Sequence, residues 1–284
     1  DGIRDSSVTG VQTCALPIFA QVAGALGREF RRDLLAAVSD LDAQQLADGL
    51  GRLEEAGLIC PLGAARSGSY AFKHALIQEA AYESMLRRGR RALHARIAGI
   101  LESQFPGTVR DTPELVAHHW SEGAMPDRAT AAWLAAGRRA SERSQYREAI
   151  GHLRRGLALV PDLEDPRVRR QRELDLLLAL GPALITTEGG GAPEVGALYA
   201  RTLELCEGEP PSPAHFAAGW GWWRASMDLR TGRERADSLL SLATSLGQRD
   251  LVLQAHHCQW ATLYMLGALR ECCHHIRQGL DMRS

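Results

Sequence analysis

The chain has almost no strand-like alternation, no C-x-x-C pair and no G-x-x-x-x-G-K-[ST] phosphate loop. Nor does any apolar run approach the roughly 20 residues that cross a bilayer. The first absence leaves helices as its expected substance, in keeping with a composition rich in Ala, Leu, Arg and Glu. Six cysteines are scattered unevenly, which argues against a small secreted disulfide framework and predicts reduced thiols in a cytoplasmic protein. Without a phosphate loop, nothing here holds a nucleotide alone. Excess charge is missing too: the net value is -1 with pI about 6.9, so no bulk field draws the chain to nucleic acid or an anionic membrane. No nucleophile–base pair and no paired acids on one face emerge, so no enzyme is expected within these residues. What is present, 284 residues at 45% hydrophobic and 24% charged, is ample for one or two folded domains.

Residues 133–161 carry the clearest pattern. Trp133, Ala136, Gly137 and Ala140 share one helical face, and Tyr146, Ala149, Leu153 and Gly156 share the face of a second helix that Pro161 stops. Two helices lie close only where facing residues are small, so Gly137, Ala140, Ala149 and Gly156 set the approach while Trp133, Tyr146 and Leu153 fill the space around them. The pattern resembles a tetratricopeptide repeat (TPR), whose hairpins stack into a solenoid. One hairpin cannot bury both its faces, so more are expected. Ala236, Leu240 and Ala243 repeat the spacing, as do Cys272, Ile276 and Gly279, and the 36 residues between Ala236 and Cys272 match about one repeat.

Residues 1–18 show neither helical nor strand periodicity. They resemble a translated sequencing adapter, with 1–5 and 8–18 matching its constant parts and Ser6-Ser7 in the place of an index. The resemblance implies an artefactual leader and a chain that is a fragment.

From Phe19 short helices are expected around Val22, Ala25 and Leu26, then around Leu34, Leu35 and Val38. Ser39-Asp40 is the expected cap of a third helix carrying Leu46, Leu50, Leu53 and Ala56, and Gly57 its stop. Residues 58–60 and 70–72 read as a hairpin around a turn-rich tip at 63–68. Three helices and a hairpin over 19–105 are the outline of a winged helix. The basic run Arg87, Arg88, Arg90 and Arg91 invites a DNA reading, but Asp42, Asp48, Glu54 and Glu55 on the third helix oppose phosphate, so nucleic acid is not an expected partner.

Residues 70–82, YAFKHALIQEAAY, together with AGLI at 56–59 and LHARIAGILE at 93–102, resemble the winged-helix region of STAND-class signalling ATPases. These include bacterial proteins that join a class III nucleotide cyclase, an AAA-like ATPase and a repeat tail. The resemblance covers 19–284. It implies a missing NTPase domain that binds ATP or ADP with Mg, and an intramolecular partnership between that domain and this chain. In that class a histidine followed by Asp approaches the phosphates of bound ADP and holds the resting state closed. His74 occupies the histidine's place, with Ala75 where Asp is usual. A charge-assisted hydrogen bond from imidazole to phosphate discriminates nucleotide states. The alternative is that His74 caps the helix from Ala75 or packs beneath it.

Residues 106–112 read as a looser hinge before a repeat region at 106–284 that is expected to be truncated at its end. Gly189-Gly190-Gly191 lacks a preceding strand and a following Lys-Ser/Thr, so it reads as a connector. Trp220, Trp222 and Trp223 fill gaps between hairpins or line a partner groove. His118 and His119 are adjacent and are expected to diverge, and of the clusters 256–258 and 272–275 at most one or two members each are expected to converge, so no metal site is expected.

The fold expected is mostly all-α: a winged-helix-like module, then a TPR-type α-solenoid. The expected function is non-catalytic and regulatory, a solenoid surface binding a protein or peptide effector and the winged helix coupling it to the NTPase domain. Two alternatives remain, the sensor part of an ATP-dependent transcription activator and a free-standing TPR scaffold. The upstream reading frame separates the three.

Overall fold

The computed structural model describes residues 9–63 and 68–282, so the hairpin tip at 64–67 and the first eight residues of the adapter-like leader lie outside the described residues. Fifteen α-helices and one three-stranded sheet make the described chain mostly helical. The described residues fall into two compact units that divide between Ala129 and Thr130.

In the first unit, α1 (Thr9–Leu26) starts well before Phe19, so residues without an apolar period are nonetheless helical from Thr9. Next come β1 (Glu29–Arg31), α2 (Arg32–Ser39), α3 (Ala43–Glu55), β2 (Ile59–Leu62) and β3 (Ser69–Phe72). The expected hairpin is β2–β3, with Ile59 opposite Phe72. The sheet gains an unexpected third strand, because β1 pairs antiparallel with the other edge of β3 and sets Phe30 opposite Tyr70. Their rings stack 5.9 Å apart.

The cap of α3 is Asp42 rather than Ser39-Asp40. Asp42 accepts from the Gln45 amide while the Gln45 side chain accepts from the Asp42 amide, a complete capping box of a kind whose loss costs about 1 kcal/mol. Asp40 instead ends α2 in the left-handed region, and the Ser39 hydroxyl bonds back to the Leu35 carbonyl. Leu46, Leu50 and Leu53 are buried as expected, but Ala56 is exposed at the helix end. Helices α4 (Ala75–Glu83), α5 (Arg87–Gln104), α6 (Pro106–Asp111) and α7 (Pro113–Glu122) complete the unit. The stretch expected as a loose hinge is therefore helical. Both α6 and α7 pack on α5, inside the same compact unit. Phe19, Leu35, Leu53, Ile59, Phe72, Ile97 and Leu101 form the core.

The second unit begins within α8 (Pro126–Glu142) and continues through α9 (Tyr146–Leu159), α10 (Pro166–Glu188), α11 (Pro193–Cys206), α12 (Pro213–Arg224), α13 (Leu229–Leu246), α14 (Arg249–Met265) and α15 (Leu269–Asp281). From α9 onward each helix packs against the next in sequence, which makes the unit a TPR-like α-solenoid. The small-residue approach is as expected in the first hairpin. A Cβ at Gly137 would overlap the Leu153 side chain, and one at Gly156 would lie 2.8 Å from Leu176 and 3.1 Å from Trp133. Trp133, Ala140, Ala149 and Leu153 are buried and Tyr146 is half-buried, while Pro161 is exposed in the 3-10 turn that ends α9.

In the later hairpins Ala236, Ala243, Cys272 and Gly279 are buried. Leu240 is only half-buried, because Leu239 takes the inward position, and Ile276 is 39% exposed rather than packed. α12 ends at Arg224. The turn to α13 is capped by Asp228, which accepts from the Thr231 amide.

Candidate functional site

α10 touches α12 and α12 touches α14, whereas α11 and α13 make no comparable contact. Helices of one row that approach each other more closely than those of the other row define the inner face of a curved stack. Along that face Leu178 and Pro182 of α10, Phe216 and Trp220 of α12, and Leu251 and His257 of α14 line a groove of about 410 Å³. Its lining contains no acid, lysine or arginine. A concave, largely apolar surface of this size accepts one or two apolar side chains of a peptide, with His257 and Gln254 supplying polar contacts at its edge.

The three tryptophans divide their work. Trp223 is buried and its indole donates to Thr262 Oγ1 at 2.9 Å, fixing α12 against α14. Trp222 is half-buried with the Arg235 guanidinium 3.7 Å from its ring centre, a cation–π contact. Trp220 faces the groove. The glycine triplet contributes no phosphate cradle: Gly189 ends α10 at φ 87° and a Cβ at Gly190 would meet the Arg224 carbonyl at 2.7 Å.

In the first unit His74 sits at the N-cap of α4 in extended backbone, makes no capping hydrogen bond with its side chain and is exposed. Neither capping nor packing beneath the helix explains it. Leu76, two residues on, is 76% exposed, and no residue of α4 is fully buried.

His118 and His119 do diverge, one exposed and one buried, but a third histidine on another helix brings their ligand atoms within 4.8 Å of its own. Tyr82 of α4, His94 of α5 and His118 and His119 of α7 come together. His94 Nδ1 lies 2.8 Å from His119 Nδ1, and His94 Nε2 lies 3.0 Å from the Tyr82 hydroxyl. Reasoning from the helical wheel of α7 alone missed His94, which lies 25 positions away on another helix. Burial, then the charges of His118 and Arg90, pushes His94 down to about 4, and burial with the neighbouring His94 and His118 pushes His119 down to about 3. Both are therefore neutral near pH 7.

A second pair, His256 of α14 and His275 of α15, has its Nδ1 atoms 2.9 Å apart. As expected, few of its sequence neighbours join it. His257 packs on Trp260, Cys272 Sγ faces the Trp260 carbonyl, and burial pushes the Cys258 thiol up to about 12, which keeps it protonated.

No family model matches the chain. An uncharacterized protein of Rhizobium meliloti (strain 1021) is 31% identical over 267 residues, which are 93% of this chain and 26% of that protein. This chain thus spans about a quarter of the relative's length. The crystal structure of a Signal Transduction ATPase with Numerous Domains protein with a tetratricopeptide repeat sensor, from Pyrococcus horikoshii, aligns with 99% of this chain and 53% of its own, at 10% identity and a TM-score of 0.47. A likeness at that score fixes neither fold nor function. Among the described residues no helix is long and apolar enough to cross a membrane.

Proposed function

We propose that this chain is the sensing part of a longer signalling protein: the inner groove of the second unit takes an apolar segment of a protein or peptide effector, and the first unit couples its occupancy to an NTPase domain elsewhere in the same protein. The groove formed by α10, α12 and α14 carries the reading, because its lining is apolar and uncharged and its curvature is built by the close approach of every second helix. Occupancy shifts a regulatory equilibrium only if the effector binds one state more tightly, and a groove bounded by three helices changes shape whenever their packing does.

The helix–strand–helix–helix–hairpin order of the first unit supports a winged helix, and the exposed His74 supports the sensor role that its resemblance implies. A side chain free of structural duties at a helix N-cap is available to a phosphate presented by another domain. The ligand of that domain is ATP or ADP with Mg.

Two substitutions in the full-length protein test the reading. Trp220→Glu places a charge in the groove, and ATP turnover is expected to lose its response to a soluble extract of the source cells. His74→Ala is expected to raise basal turnover or nucleotide exchange. A Trp220→Glu protein that responds as the unaltered one does contradicts the groove reading, and unchanged basal turnover in His74→Ala removes the sensor role.

A further inference from the structure

The first unit contains three histidines whose ligand atoms all lie within 4.8 Å of one another: His94 of α5 and His118 and His119 of α7. His94 and His119 are buried, 2% and 1% exposed, while His118 is exposed beside them. We propose that these three imidazoles bind one divalent cation of the zinc class, through Nδ1 of His94, Nδ1 of His119 and one nitrogen of His118.

The geometry comes close to the requirement. Zinc–nitrogen bonds of about 2.0–2.1 Å at tetrahedral angles set ligand nitrogens roughly 3.3 Å apart. The His94 and His119 Nδ1 atoms, 2.8 Å apart, need to separate by about half an ångström. His118 needs to swing inward, and its exposure leaves it room to do so. Three nitrogen donors leave the fourth position of a tetrahedron for water, and imidazole sets of this kind suit zinc, copper or nickel rather than magnesium or calcium.

The surroundings orient the first ligand. Tyr82 Oη lies 3.0 Å from His94 Nε2, and with metal bound it would accept the Nε2–H and leave Nδ1 as the lone-pair donor. Burial, then the charge of nearby Glu122, raises the Tyr82 phenol above its ordinary value. A hydroxyl behind an imidazole is an outer-shell partner of the kind that holds a metal-bound histidine in orientation. Arg90, stacked over the Tyr82 ring at 5.2 Å, opposes a cation, as do Arg87 and Arg91 on the rim where Glu122 is the acid that counters them in part. Bound metal would tie α5 to α7.

Titration of the whole chain with zinc chloride, followed by calorimetry and by thermal melting with and without chelator, tests the site. One equivalent is expected to bind and to raise the melting temperature. His118→Ala, at an exposed position, keeps the fold by circular dichroism and is expected to weaken binding tenfold or more. Tyr82→Phe is expected to weaken it by about 10- to 100-fold. His275→Ala, which breaks the other histidine pair, is expected to bind as the unaltered protein does. The proposal is overturned if no saturable binding occurs, if His118→Ala and Tyr82→Phe bind with unaltered affinity, or if His275→Ala abolishes binding.

Discussion

The phenol ring of Tyr199 occupies the space that a side chain at Gly221 would need. A Cβ built there overlaps the ring carbons, and a Cβ at Gly181 overlaps the hydroxyl. One aromatic residue of α11, 1% exposed, thus fills two glycine notches, one on α10 and one on α12, and sets how closely the inner row packs.

Gly221→Ala is therefore expected to destabilise the second unit by about 1–3 kcal/mol, because the ring must leave its packed position to admit the methyl. Gly151→Ala, in the interior of α9 with nothing near its missing Cβ, is expected to stabilise by up to about 1 kcal/mol through helix propensity alone. Urea unfolding of the two variants gives both signs. Equal effects would mean that the notch is not what holds the helices together.

The bond from Trp223 Nε1 to Thr262 Oγ1 is buried at both ends. Thr262→Val keeps the shape and removes the acceptor, leaving an indole N–H without a partner inside the core, at an expected cost of about 1–3 kcal/mol. Thermal melting measures it. A Thr262→Val protein as stable as the unaltered one would place a replacement acceptor at the indole.

Burial holds His94 and His119 below their ordinary value of 6.5, so between that value and their folded pKa values the unfolded chain binds more protons than the folded one. Their contribution is complete above 6.5 and is lost as pH falls toward about 4 for His94 and about 3 for His119. In chelator, the urea midpoint is expected to drop between about pH 7 and about pH 5, with each retained proton difference contributing about 1.4 kcal/mol per pH unit. A His94→Gln, His119→Gln double variant is expected to show a shallower pH dependence. The same slope in both proteins would assign the effect to other groups.

How much of this was visible in the sequence depends on distance along the chain. Spacings confined to one helix were legible. Ala149 and Gly156 declare a close face because small residues recur two turns apart with Leu153 between them, and the contacts of Gly137 with Leu153 and Gly156 with Trp133 follow from it. Ile276 shows the limit. It holds the same spacing in α15 and is exposed, because a periodic pattern does not say whether another helix lies over it. β1 was missed because Glu29-Phe30-Arg31 is too short to show alternation, and only pairing with β3 makes it a strand. The histidine cluster was missed because its members come from two helices, and helical-wheel reasoning sees only one at a time. For the groove, the three tryptophans marked the right helix. Only the packing of α12 between α10 and α14 distinguishes Trp220, on the groove, from Trp223, in the core.

The measurement that bears most directly on the proposed sensing role is the rate of the ATP turnover proposed for the full-length protein, compared with the same protein lacking residues 130–284. A regulatory solenoid predicts a basal rate that changes severalfold on its removal, together with loss of any response to cell extract. An identical rate, with the response intact, would contradict it.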